Sequence, residues 1–76
     1  MGEQEYKEMR GLISMLKDGH DTSSRCKIDI AMNKPPKERI GYCGAALESA
    51  CKAQILEEVL QIMDQVYEKY KGGQNG

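Results

Sequence analysis

The feature that most constrains this chain is a helical pattern that runs for about 35 residues after a pair of prolines. A proline suits the first turn of a helix, because its missing N–H needs no partner there and its φ is already helical. From Pro36 to Lys71, apolar residues recur at steps of three or four. We therefore predict a helix from about Pro36 to about Lys71, with a frayed tail over 72–76.

The predicted helix has two neighbouring apolar rows, and together they are wider than a single partner helix requires. One row contains Ile40, Gly44, Leu47, Cys51, Ile55, Val59, Ile62, Val66 and Tyr70, and the other contains Cys43, Ala46, Ala50, Ala53, Leu56, Leu60, Met63 and Tyr67. An exposed apolar stripe of this size usually marks an interface. We predict an oligomer interface on the second half of the helix, formed by Leu47, Cys51, Ile55, Leu56, Val59, Leu60, Ile62, Met63 and Val66.

Small residues dominate the first half of the same helix. Gly41, Ala45, Ser49 and Ala53 follow one another at steps of four, which places them on one face. A row of such small side chains allows another helix to approach closely. Because glycine weakens a helix interior, a break is expected, if anywhere, between Gly41 and Gly44.

The residues before the prolines divide into three predicted segments. Residues 3–17 have apolar side chains at helical steps and acids near the start, which predicts an amphipathic helix that ends at Gly19. Residues 18–25 are polar and rich in turn formers, so a loop is predicted. Apolar and polar residues alternate over 26–32, which favours a half-buried strand, with a short helix or an extended packed segment as the alternative. A strand needs a partner, which would be the same strand of another copy.

The length of the chain limits how much of this structure is stable alone. With 76 residues it forms one small domain over 1–76, and a chain this short buries only roughly 60% of its unfolded surface. Together with the apolar stripe, this predicts a mainly α fold that assembles into an oligomeric helical bundle, most commonly a dimer. Neither a signal peptide nor a transmembrane segment is recognisable, so a cytoplasmic protein without a membrane partner is expected.

Side chains that could carry catalysis or bind metal are few and scattered. The single histidine, His20, lies beside Asp21 in a polar segment, and such adjacency does not assemble a catalytic triad. The three cysteines, Cys26, Cys43 and Cys51, show none of the close spacings of zinc ligands, and their odd number favours reduced thiols. We therefore expect a non-enzymatic protein without a metal or a cofactor.

The middle of the chain is its only basic zone. Residues 23–40 contain five bases and two acids, a net charge of +3, whereas the whole chain has a net charge of −1. The start of the long helix adds free N–H groups and a positive dipole end, which attract anions. We predict a site for an anionic ligand, such as a nucleotide or nucleic acid, formed by Thr22, Ser23, Ser24, Arg25, Lys27, Lys34, Lys37 and Arg39.

Two other functions remain open. The apolar face of the long helix would also suit an inhibitor or adaptor that binds a host protein. A strand followed by a proline-marked helix is similar to the ribbon–helix–helix DNA-binding dimers, in which paired strands enter the major groove. The resemblance implies that Lys27 and Asp29 face the DNA. The chain departs from that family because it shows no turn between Pro36 and Lys71 that would separate two helices.

Overall fold

The computed structural model describes residues 2–75 and contains two long helices, α1 over Glu3–Met32 and α2 over Pro36–Asn75. The helices lie side by side and antiparallel, in a hairpin that measures 61 × 16 × 12 Å. Within the described residues the chain is almost entirely helical and has no strand. The prediction of a mainly α fold is confirmed.

A turn over residues 33–35 joins the helices. The backbone N–H of Asn33 donates to the carbonyl of Ile30 at 3.0 Å, and its side-chain amide donates to the carbonyl of Asp29 at 2.9 Å. These bonds satisfy carbonyl groups that the end of a helix leaves without partners. The helix α2 then begins at Pro36, as the pair of prolines predicts.

The first helix is 30 residues long, so the predicted loop over 18–25 and the predicted strand over 26–32 are both wrong. Gly19 does not end the helix, because the residues after it continue to contact α2: the hydroxyl of Ser24, for example, donates to the carbonyl of Ala46 at 2.9 Å. The alternation over 26–32 does not mark a buried face, since Ile28 is 47% exposed. Without a strand among the described residues, the chain lacks the element that the ribbon–helix–helix resemblance requires.

The second helix is continuous, so the break considered between Gly41 and Gly44 does not occur. Neither glycine has a positive φ. Ala46, which follows them, is only 2% exposed, and its packing against α1 holds this part of α2 in place. Residues 72–75 are helical as well, contrary to the predicted frayed tail, and Gly76 at the end of that tail lies outside the described residues.

The contact between the helices follows the same spacing in both, with alternating steps of four and three residues. We call these residues the seam: Tyr6, Arg10, Ile13, Lys17, His20, Ser24, Lys27 and Ala31 of α1, and Tyr42, Ala46, Ser49, Ala53, Leu56, Leu60, Met63 and Tyr67 of α2. All are buried or half-buried. This spacing is the seven-residue repeat of a two-stranded coiled coil.

Much of the seam is small or polar. Within the predicted small-residue row, Ser49 and Ala53 are at most 5% exposed and face α1 of the same chain, whereas Ala45 is half-buried and Gly41 is exposed. The amine of Lys27 donates to the hydroxyl of Ser49 at 2.9 Å, across the seam. Leu60, at 5% exposure, is the one large apolar side chain in the buried core of the described residues. The hairpin therefore has a narrow core.

Candidate interaction surface

Most of the large apolar side chains of the hairpin face solvent. Thirteen of them among the described residues are at least 43% exposed. Two antiparallel helices bury only the row that each turns toward the other, and the seam uses many small and polar residues for that row. The bulky residues are thus left beside the seam and not in it.

The residues of the predicted oligomer interface are divided by this arrangement. Leu47, Cys51, Ile55, Ile62 and Val66 are exposed on α2. Leu56, Val59 and Met63 are half-buried against α1, and Leu60 is buried in the seam. The sequence shows two apolar rows on α2, and the structure turns the one that contains Ala46, Ala53 and Leu60 toward α1.

One group of exposed apolar residues lies at the open end of the hairpin, where the start of α1 meets the second half of α2. We call it the open-end patch: Met9, Leu12 and Leu16 of α1 with Ile55, Ile62 and Val66 of α2. Each of these residues immediately precedes a seam residue, so in an antiparallel pair they all lie on one side of the seam. Leu16 and Ile55 line a groove of about 200 Å³ there, with His20, Lys52 and Leu56.

A second group lies near the turn. We call it the turn-end patch: Ile28 and Met32 of α1 with Ile40, Cys43 and Leu47 of α2. All but Ile40 immediately follow a seam residue, and Ile40 lies seven residues before Leu47 on the same face of α2. This places them on the opposite side of the hairpin from the open-end patch. Ile28, Cys43 and Leu47 line a groove of about 380 Å³, together with Ser24, Ala46 and Ala50.

The side that carries the turn-end patch becomes polar toward the open end. The amine of Lys17 lies 3.2 Å from a carboxylate oxygen of Asp21 and 3.7 Å from one of Glu57. The hydrogen bond to Asp21 is the main reason that the pKa of Lys17 is raised, and the charge of Glu57 adds to it. Toward the open end, one side of the hairpin is therefore apolar and the other side is charged.

The register of the helices is set at the open end by a polar cluster. The guanidinium of Arg10 binds both carboxylate oxygens of Asp64, at 2.9 and 3.1 Å, and the hydroxyl of Tyr6 donates to the same carboxylate. The rings of Tyr6 and Tyr67 are stacked, with centroids 4.0 Å apart. This register places Leu12 level with Ile62 on the neighbouring helix.

The hydrogen bonds of this cluster favour the charged forms of Arg10 and Asp64. The hydrogen bonds from Arg10 and then from Tyr6 lower the pKa of Asp64. The hydrogen bond to Asp64 also raises the pKa of Tyr6 and of Arg10. The apolar periodicity of the sequence does not predict this cluster, because a charged residue at a seam position does not contribute to an apolar pattern. The seven-residue spacing of Tyr6 and Arg10 relative to the rest of the α1 seam is the signal that could have revealed it.

The residues of the predicted anion site are spread over the hairpin. Thr22, Ser23, Ser24, Arg25 and Lys27 lie on α1 instead of in a loop. The side chains of Ser24 and Lys27 bind Ala46 and Ser49 within the seam, whereas Thr22 and Arg25 are exposed on the helix.

The three remaining cations of the predicted site lie together at the turn. The Nε of Arg39 donates to the carbonyl of Lys34 at 2.8 Å, and Lys37 is exposed between them in sequence. The amine of Lys34 lies 5.9 Å from the centre of the Tyr42 ring. The structure thus places Lys34, Lys37 and Arg39 in the turn and the first turn of α2, and the hydroxyl residues on α1.

Within residues 2–75, no cluster of three or more His, Cys, Asp or Glu side chains could hold a metal ion. The three cysteines are free and exposed. Neither described helix has an apolar stretch long enough to cross a membrane. Comparison of the chain with protein-family models, curated proteins and solved structures finds no match.

Proposed function

We propose that this protein is a non-enzymatic, homo-oligomeric assembly module whose helical hairpins associate through exposed apolar side chains. The observation that supports this proposal best is the open-end patch. Its six large side chains are 46% to 68% exposed and lie on one side of the hairpin, next to a core that buries a single large apolar residue among those described. Contiguous apolar surface of this kind is typical of protein interfaces.

A second copy is the partner that the properties of the chain favour. A short chain with a narrow core gains stability when a partner subunit buries more of its apolar surface. The patch involves both helices, so it offers a broad face and not only one exposed helix. Packing two hairpins on this face would produce a helical bundle with a larger apolar core.

The first test is the mass of the protein in solution. The chain has a mass of 8.5 kDa, and sedimentation at micromolar concentration is expected to show a larger species. Leu12→Asp and Ile62→Asp should each weaken self-association at least about tenfold, because the carboxylate would be buried without a partner. Circular dichroism should show unchanged helix content, since both side chains are exposed in the hairpin.

Met15→Asp is the matched control for these substitutions. Met15 is 71% exposed on α1 but belongs to neither patch. We expect this variant to associate as the wild type does. A wild-type protein that remains monomeric throughout the micromolar range would reject self-association. If such a monomer formed a complex with a different protein through Ile62, the chain would instead act as an adaptor.

The cations at the turn support a second candidate function, which is the binding of an anionic ligand such as a nucleotide or nucleic acid. The supporting observation is the hydrogen bond from Arg39 to the backbone carbonyl of Lys34, which holds the Arg39 guanidinium at the N-terminal end of α2. Free N–H groups and the helix dipole at such an end add to the attraction of anions. In an assembly, the cations of several copies would act on the same polyanion.

Anion binding can be tested with a fluorescently labelled single-stranded oligonucleotide and with ATP at low salt. The double variant Lys37→Glu, Arg39→Glu should weaken binding at least about tenfold, and added salt should weaken the binding of the wild type. Lys69→Glu is the control, because Lys69 is exposed near the open end. Absence of binding at low salt, or equal loss in the control, would exclude a specific role for the turn.

A further inference from the structure

The two apolar patches occupy opposite ends and opposite sides of the hairpin. The open-end patch precedes the seam positions, and its groove is lined by Leu16 and Ile55. The turn-end patch follows the seam positions, and its groove is lined by Ile28 and Leu47. One hairpin can therefore use both patches at once, each with a different neighbour.

The region around the turn and the rest of the chain have net charges of opposite sign. Residues 23–47, which surround the turn, contain five bases and two acids, whereas the rest of the chain contains six bases and ten acids. Near the open-end patch, Glu8 lies one helical turn before Leu12, and Glu58 lies between Ile55 and Ile62 on α2. Lys52 lines the groove of this patch, and its amine is paired with Glu48 at 3.4 Å. Near the turn-end patch, the bases Arg25, Lys37 and Arg39 are exposed, and so are the acids Asp29 and Glu48.

We propose that the hairpins assemble head to tail, so that the open-end patch of one copy covers the turn-end patch of the next. This inference rests on the self-association proposed above and specifies which surfaces take part. Contact between two copies of the same patch would bring together regions of like net charge, which is unfavourable, whereas contact between different patches pairs a region of net negative charge with one of net positive charge.

The shapes of the two patches also suit this pairing. The turn-end groove has a volume of about 380 Å³ and, apart from Ser24, is lined by apolar or weakly polar residues. Leu12 and Ile62 project from the open-end patch, at 68% and 59% exposure. Such side chains can insert into a groove of that kind, as knobs insert between the residues of a facing helix.

A head-to-tail contact has a consequence that a two-fold symmetric contact does not have. After one contact forms, the first copy still presents one unused patch and the second copy presents the other. The same contact can then repeat, which produces a closed ring or an open filament. The wild type is therefore expected to form species larger than a dimer as its concentration rises.

The experiment that tests this pairing mixes two variants. Leu12→Asp disables the open-end patch, and Leu47→Asp disables the turn-end patch. Each variant alone is expected to be a monomer, because each has lost one of the two complementary surfaces. An equal mixture should form heterodimers and double the apparent mass, since each variant retains the patch that the other needs. Native mass spectrometry with one variant isotopically labelled would identify the heterodimer.

Other outcomes would overturn the inference in distinguishable ways. A homodimer of Leu47→Asp beside a monomer of Leu12→Asp would show contact between two open-end patches, which supports self-association but rejects the head-to-tail pairing. A mixture that stays monomeric although the wild type assembles would also reject it. A monomeric wild type would reject both proposals. Ile62→Asp with Ile40→Asp repeats the test at other positions, with Met15→Asp as the control that should assemble normally and circular dichroism as the check on folding.

Discussion

Replacement of Leu60 by alanine is expected to lower the free energy of unfolding by about 2–3 kcal/mol. Leu60 is 5% exposed and is the one large apolar residue in the buried core of the described residues. Truncation removes its transfer free energy and leaves a gap between two long helices that cannot close without shifting their register. For a chain of this size, the loss corresponds to a decrease of about 10–20 °C in melting temperature.

The measurement should separate the stability of the hairpin from that of any assembly. Both urea and thermal unfolding can be followed by circular dichroism in the Leu12→Asp background, which is expected to be monomeric. Ile62→Ala is the matched control, because Ile62 is two residues away on the same helix and 59% exposed. It should change the free energy of unfolding by no more than about 0.5 kcal/mol. Equal losses in the two variants would contradict the burial of Leu60.

The helical character of the chain and the start of α2 could be predicted, because both depend on local signals. Pro36 marks the first turn of α2, and the apolar residues after it repeat with a helical period. The length of α1 could not be predicted in the same way. Its seam contains Lys17, His20 and Lys27, so the buried face of the helix carries no apolar period through this region. Local patterns therefore predict a loop and a strand where tertiary contacts support a helix.

The choice of the buried row on α2 depends on long-range interactions. Both rows have helical spacing, and the row that contains Ile55 and Ile62 has the bulkier side chains. The structure turns the other row inward, where Ala46 and Ala53 allow close approach and Asp64 is within reach of Arg10. Because Arg10 and Asp64 are separated by 54 residues, a period read along one helix does not reveal their pairing.

The candidate surfaces could be predicted only in part, for the same reason. Three exposed members of the predicted interface, Ile55, Ile62 and Val66, belong to the open-end patch, and Leu47 belongs to the turn-end patch. The α1 residues that complete the open-end patch, Met9, Leu12 and Leu16, were not predicted as interface residues, because an apolar face on a short first helix is expected to pack in the core. A patch shared by two helices becomes visible only when their register is known.

The close packing of α1 against α2 leads to a second prediction, which concerns the small residues of the seam. Ala53→Leu is expected to lower the free energy of unfolding by about 1–3 kcal/mol, because Ala53 is 3% exposed and the added atoms would push the helices apart. This decrease in the free energy of unfolding does not come from a lower helix propensity, since leucine is almost as good a helix former as alanine.

Ala50→Leu is the comparison that isolates packing from helix propensity. Ala50 lies three residues before Ala53 on α2 but is exposed beside the seam, so a leucine there can point into solvent. In the Leu12→Asp background, we expect urea unfolding of Ala50→Leu to match that of the parent within about 0.5 kcal/mol. If Ala50→Leu were the more damaging change, α2 would be rotated about its axis relative to this structure. The rotation would remove the turn-end groove that Ala50 lines, and the head-to-tail pairing would lose one of its two surfaces.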